Sequence, residues 1–211
     1  MSTEDFSELE LDALREIMNI GFGQAASNLS EVINLNVVLS VPRIVIMETT
    51  AIGDFMHSEV GIPSDYSMVE QFFFGNFEGT SFLLLPETEG AKLATLFDVG
   101  AEQEGLDLEP GSLEREAVME IGNIIIGACV GKIAEILKDQ VQFQPPHYLT
   151  SPLVREELAK YIGHKAGLAL VFKTVFNFEK QHLYGFLFLI ASESSLKWVK
   201  QALSSFTAGL E

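Results

Sequence analysis

The 211-residue chain is predicted to adopt an α+β (α/β) fold of two like halves related by a pseudo-two-fold, with a mostly antiparallel sheet and two long helices. Three observations carry that prediction. First, Glu16, Asn19, Gly23 and Pro42 recur as Glu120, Asn123, Gly127 and Pro146, each displaced by 104 positions. The same offset pairs Ile17, Ile20, Glu31 and Val37 with identical residues, where chance at roughly 6% per position would give about two matches in the whole stretch. Second, each half reads as helix, strand, connection, two strands and helix, an order that suits helices layered on an antiparallel sheet. Third, 47% of the residues are hydrophobic, enough for a well-formed core.

The first half opens on a helical pattern from Glu8 to Ile33, with Leu14, Ile17, Gly21, Ala25 and Leu29 at helical spacing. A strand-like stretch, Asn36 to Ile46, follows, and its internal proline predicts an edge or an interruption. Met68 to Phe74 with Thr80 to Leu85 reads as a hairpin, and Pro86 introduces a closing helix, Glu87 to Phe97. The acidic, glycine-containing segment 100–111 reads as a linker between repeats of about 8–98 and 112–206, which share one domain over residues 1–211.

The second half repeats the order. Its opening helix runs from Ser112 to Lys138, with Ser112 as the expected cap and Glu114 and Glu116 as an acidic first turn. Gln140 to Tyr148 is the matching interrupted strand, Leu168 to Phe176 with Leu183 to Ile190 the matching hairpin, and Ser192 to Phe206 the closing helix. Phe82, Leu83 and Leu85 map on Phe186, Leu187 and Leu189 at the common offset. Asn76-Phe77-Glu78 and Asn177-Phe178-Glu179 read as repeated turns of the two hairpins.

Composition excludes several classes. With 30 acidic against 13 basic residues and a formal charge of −17, the surface repels phosphate backbones and anionic lipid, so neither nucleic acid nor a membrane surface is an expected partner. The apolar window Ala117 to Leu137 holds Glu120, Asn123, Lys132 and Glu135, each expensive in hydrocarbon, so a helix half buried in protein is expected and membrane insertion is not. Cys129, the single cysteine, lies in an apolar run and is expected to be a buried small hydrophobe, and no disulfide can form within the chain. The acidic N-terminus lacks a secretory pattern, so a cytoplasmic protein is expected.

On a helix, positions i, i+4, i+7 and i+11 share a face, so Asp12, Glu16, Asn19 and Gly23 form a stripe, as do Glu116, Glu120, Asn123 and Gly127. A carboxylate and an amide one turn apart can hold a cation with the first and orient a water with the second. Pro42, Pro146, Gly23 and Gly127 are read as structural, supplying a fixed bend and close packing.

At these residues the sequence resembles the CheC/CheX/FliY family of bacterial chemotaxis phosphatases, whose signature is Asp or Ser, three residues, Glu, two residues, Asn, then 22 residues to Pro. Asp12, Glu16, Asn19 and Pro42 match it throughout; Glu120, Asn123 and Pro146 match in the second copy, where Glu116 stands in place of Asp or Ser. Two copies without a further domain is the CheC-type arrangement, so the resemblance implies an internally duplicated CheC-like fold in which α-helical signatures carry the sites.

The resemblance further implies hydrolysis of the aspartyl phosphate of a CheY-type response regulator. Glu16 and Glu120 would dock on the regulator's active-site lysine, and Asn19 and Asn123 would hold the attacking water in line with phosphorus. Phosphoryl transfer needs alignment and charge neutralisation more than a strong base, so an amide suffices. Magnesium would sit in the regulator's own acidic pocket, and this chain would bind no cofactor or metal. The receptor deamidase CheD is a further partner that the resemblance allows, and oligomeric state is open.

Two rival readings remain. A non-catalytic adaptor of the same fold would dock on a regulator, a flagellar switch component or CheD, but such a chain would be expected to lose the Glu and Asn pairs. A metal-dependent hydrolase would use Asp12, Glu16, Glu116 and Glu120, without helper histidines, since His57, His147, His164 and His182 have no ligand spacing. Trp198 is expected in the core or an interface.

Overall fold

A computed structural model describes residues 6–60, 66–96, 111–149, 167–178 and 183–207. The first helix, α1 (Glu8–Ile33), starts at a capping box: Ser7 Oγ accepts from the Glu10 amide while the Glu10 carboxylate accepts from the Ser7 amide, satisfying two donors that a helix start leaves free. It ends at Asn34, in the left-handed conformation that an amide side chain tolerates. The strand-like stretch is divided, as its proline required, into β1 (Val37–Leu39) and β2 (Arg43–Glu48), with Pro42 buried in the break. A short 3-10 turn leads into α2 (Ile52–Val60), a helix in what the sequence reads only as a connection.

The hairpin of β3 (Tyr66–Phe74) and β4 (Gly79–Pro86) runs into α3 (Glu87–Leu96). Then come α4 (Ser112–Ile136), β5 (Gln142–Phe143), β6 (His147–Leu149), the hairpin of β7 (Leu168–Phe178) and β8 (Leu183–Ala191), and α5 (Glu193–Thr207). Residues 100–110 of the expected linker lie outside the described residues.

All strand pairs are antiparallel, in the order β1-β7-β8-β4-β3-β5, with β2 alongside β7 and β6 alongside β3. The strands that follow each long helix therefore pair with the hairpin of the other half. Corresponding bonds repeat across the sheet: the Ser40 amide donates to the Val175 carbonyl (2.8 Å) and the Gln144 amide to the Phe72 carbonyl (3.0 Å).

Alternation along the strands divides the core in two. One face presents Val69, Phe73, Leu83, Leu85, Leu170, Phe172, Phe176, Leu187 and Leu189 to the helices. α1 and α4 lie side by side on it, with α3 beside α4 and α5 beside α1. The other face presents Met68, Phe82, Leu84, Val171, Phe186 and Phe188 to Ile52 and Met56 of α2. Glu59 of α2 pairs with both Arg43 and Lys173, fixing that helix to the sheet. Strands β4 and β8, covered on both faces, are the near-continuous apolar runs of the sequence.

Three sequence expectations are corrected. Ser112 is not a cap: Gly111, at φ +80°, occupies that position without a side-chain bond, and the Ser112 hydroxyl is buried without a partner among the described residues. Asn177 and Phe178 lie in β7, paired with Tyr184 and Leu183, and not in a turn; Glu179 lies outside the described residues. Asn76-Phe77-Glu78 does cap a hairpin, where Asp139 accepts from Asn76 Nδ2 (2.9 Å) and the Phe77 amide (2.8 Å) and Ser195 Oγ accepts from the Glu78 amide.

The third correction concerns register. Glu70 lies between His147 and Phe82, and Lys173 lies between Arg43 and Phe188. Ladder register thus matches Phe82 with Phe188 and not with Phe186. Phe82 and Phe188 also face each other in the central β4–β8 ladder, so the local two-fold passes between them.

Candidate functional site

The face of α1 that carries Leu14, Ile17, Met18, Phe22 and Ala25 is buried, which leaves Asp12, Glu16 and Asn19 exposed on the opposite side. In α4 the buried set is Ala117, Val118, Ile121, Gly122 and Ile125, leaving Glu116, Glu120 and Asn123 exposed. Each Glu and Asn, three positions apart, shares one turn of helix surface. The helical window that could in length and composition cross a membrane, within Ser112–Ile136, is 56% buried inside the protein, as expected for a core helix with one wet face.

The close approach that holds these helices belongs to glycines other than the two expected. A methyl carbon at Gly21 would stand 3.5 Å from Ile136 Cδ1, where α1 meets α4, and one at Gly122 would stand 2.9 Å from Val69 Cβ, where α4 meets β3. At Gly23 and Gly127 it would meet nothing within 4 Å. Those two glycines therefore pack against nothing in the described chain, and they leave the helix surface low beside each Asn.

The two sites differ beneath the surface. Gln71 of β3, 2% exposed, donates from Nε2 to Asn123 Oδ1 (2.8 Å) and to the Gln144 carbonyl (3.0 Å). In the other half the strand position that corresponds to Gln71 is Thr174, whose hydroxyl donates to the Ser40 carbonyl (2.7 Å), and among the described residues no bond joins it to Asn19. Sequence reasoning passed over both residues. The available signal was a Gln between Val69 and Phe73 on the inward face of a strand, where an apolar side chain is the norm.

Asp12 forms an exposed ion pair with Arg15 (2.5 Å), a contact worth little in water. Among the described residues no group of three or more His, Cys, Asp and Glu side chains is arranged to hold a metal, so Asp12, Glu16, Glu116 and Glu120 do not form a ligand set. His57 and His147 are exposed, and His164 and His182 lie outside the described residues. Cys129 is fully buried, and burial pushes its thiol pKa far up, away from nucleophile chemistry. Pro146, half-buried, stands between β5 and β6, and Pro42, buried, between β1 and β2, while Trp198 packs against the main core.

A model of the CheC-like family matches residues 9–46, the span that holds Asp12, Glu16, Asn19 and Pro42. Over that stretch the chain is similar to the CheC-like family. It is 28% identical over 143 residues to the flagellar motor switch phosphatase FliY of Bacillus subtilis (strain 168), covering 68% of this chain and 36% of that protein. It is 25% identical over 135 residues to the CheY-P phosphatase CheC of the same organism, covering 64% and 63% of the two. The match thus spans about a third of the one relative and under two thirds of the other. In three dimensions the chain is similar to the crystal structure of Thermotoga maritima FliY, with a TM-score of 0.68 at 18% identity over 95% of this chain and 98% of that one, a likeness of fold.

Proposed function

We propose that this chain is a phosphatase that hydrolyses the aspartyl phosphate of a CheY-type response regulator. The observation that carries the reading is the pair of exposed Glu and Asn side chains on one turn of α1 and again on one turn of α4. Relatives described as a CheY-P phosphatase and a motor switch phosphatase support it.

In this reading the regulator supplies the phosphorylated aspartate, the lysine and the magnesium, and the chain supplies a docking carboxylate and a positioning amide. Glu16 or Glu120 pairs with the lysine. Asn19 or Asn123 holds a water on the side of phosphorus opposite the aspartyl oxygen; water adds to phosphorus, the acyl phosphate P–O bond breaks, and inorganic phosphate leaves. An amide that has both an acceptor and donors can contact the water and a phosphoryl oxygen together. The low surface at Gly23 and Gly127 lets the regulator's backbone come close to each Asn. The same reading takes residues 1–211 as one domain of two repeats in the cytoplasm, with CheD as a further binding partner.

The test is phosphate release from a CheY-type regulator kept phosphorylated by acetyl phosphate and magnesium. Wild type should accelerate release, and the Asn19→Ala, Asn123→Ala double variant should bind the regulator yet fail to do so. No acceleration by wild type, with binding retained, would replace the phosphatase by an adaptor.

A further inference from the structure

The geometry points to Gln71 as a positioning residue for Asn123 alone, which makes the second site a held amide and the first a free one. This inference rests on the proposed phosphatase reading for its consequence, though not for its geometry.

A backbone carbonyl sets the orientation of both amides. Gln144 O can only accept, so the Gln71 amide must turn its NH2 group toward it, which excludes the flipped rotamer. The same NH2 then faces Asn123, which must answer with Oδ1. One lone pair of Oδ1 is thereby taken. The second lone pair can accept from a water, and the N–H groups of this exposed amide can donate to a phosphoryl oxygen. A chain of three polar groups thus decides which end of an exposed amide meets a partner.

Packing alone does not explain Gln71. Among the described residues its Oε1 is buried without a partner, a defect that costs about 1–3 kcal/mol, while Val69 and Phe73 on the same face of β3 show that an apolar side chain fits there. Gln144 and Asn123 are both exposed, so water could satisfy them if Gln71 were replaced. The buried amide therefore contributes orientation at a cost in stability, a pattern expected of a functional position.

At the first site the equivalent Thr174 also serves the carbonyl before the proline turn, Ser40 O, but its hydroxyl is too short to reach the helix as well. Among the described residues no strand side chain orients Asn19 as Gln71 orients Asn123.

The test uses the full-length chain in two backgrounds, Asn19→Ala, which leaves the second site, and Asn123→Ala, which leaves the first. Each is combined with Gln71→Met, and acetyl phosphate-charged CheY-type regulator is the substrate. In the Asn19→Ala background Gln71→Met should lower kcat by about 10- to 100-fold, the range expected for a misplaced positioning group, with KM for the regulator changed by less than about 2-fold. In the Asn123→Ala background it should change neither.

Equal losses in both backgrounds, or a loss confined to KM, would overturn the assignment. Gln71→Leu repeats the comparison should the Met variant not fold. A readout without catalysis separates this idea from the phosphatase reading: the side-chain 15N–1H signals of Asn123 should shift on Gln71→Met and those of Asn19 should not. Silent signals at Asn123 would refute the clamp, whereas absent turnover in both backgrounds with wild-type Gln71 would refute the phosphatase.

Discussion

Two glycines in one helix, five positions apart, should respond to alanine with opposite signs. A Cβ at Gly122 would lie 2.9 Å from Val69 Cβ and Cγ2 and 3.0 Å from Cγ1, well inside the roughly 3.5–4.0 Å of an ordinary carbon contact. Val69 cannot retreat, since it is fully buried, β-branched and paired with both Leu83 and Tyr148. Overpacking of this kind costs about 1–3 kcal/mol, and the higher helix propensity of alanine returns about 1 kcal/mol of it. At Gly127 only the propensity gain applies, because the added methyl meets open space.

For a chain of this size each kcal/mol moves Tm by about 2–4 °C, so Gly127→Ala should raise Tm by about 2–4 °C and Gly122→Ala should lower it by a similar amount. Calorimetry on the purified variants reads both. A rise in Tm for Gly122→Ala would mean that α4 is not pressed against β3, and the account of how the second site is mounted would fail with it. Gly122→Ala should also weaken the Gln71–Asn123 contact, because any outward shift of α4 stretches a bond that is now 2.8 Å.

Other perturbations test other contacts. Glu16→Lys and Glu120→Lys should each reduce affinity for a CheY-type regulator by about tenfold at the altered site, read by titration against single-site backgrounds; unchanged affinity in both removes the docking role. Asp139→Ala should cost about 1–3 kcal/mol by freeing the Asn76 amide and the Phe77 N–H from one carboxylate, and an unaltered Tm would show that water replaces both bonds. Native protein at neutral pH should leave Cys129 unmodified by a maleimide until denaturant is added, since the thiol is buried and held protonated; rapid stoichiometric labelling would contradict that.

What the sequence revealed and what it hid follow from the range of the forces involved. The long helices were readable because their apolar positions recur every turn and their ends are local: the bounds of α1 agree with the pattern from Glu8 to Ile33. The proline breaks in the flanking strands were readable because a missing N–H is a property of one residue. By contrast, α2 is nine residues long, and although Ile52, Phe55, Met56 and Val60 fall at helical spacing, the run is too short for periodicity to separate it from a connection. Sheet order depends on which strands meet after the chain has turned, and nothing local encodes that β2 pairs with β7.

At the site, the exposure of Glu16, Asn19, Glu120 and Asn123 followed from the helical stripe. Gln71 did not, because its partners lie 52 and 73 positions away. The expected packing role of Gly23 and Gly127 confused the glycines facing outward with Gly21 and Gly122, which face inward. One repeated tripeptide also misled: Asn177 and Phe178 resemble Asn76 and Phe77 in letters, but β7 carries pairing further than β3 does and absorbs them into the strand.

The crossed pairing of strands has a further consequence. Ser40, at the turn after the first site, is hydrogen-bonded to the second hairpin, and Gln144, at the turn after the second site, is hydrogen-bonded to the first. The turn that follows each helix with a Glu and an Asn is therefore bonded to a hairpin encoded in the opposite half of the chain. Damage to either half should reach both sites, so loss of secondary structure and loss of the activity proposed for the two sites should coincide on a single denaturation curve. The two sites share one folding fate even where their chemistry differs.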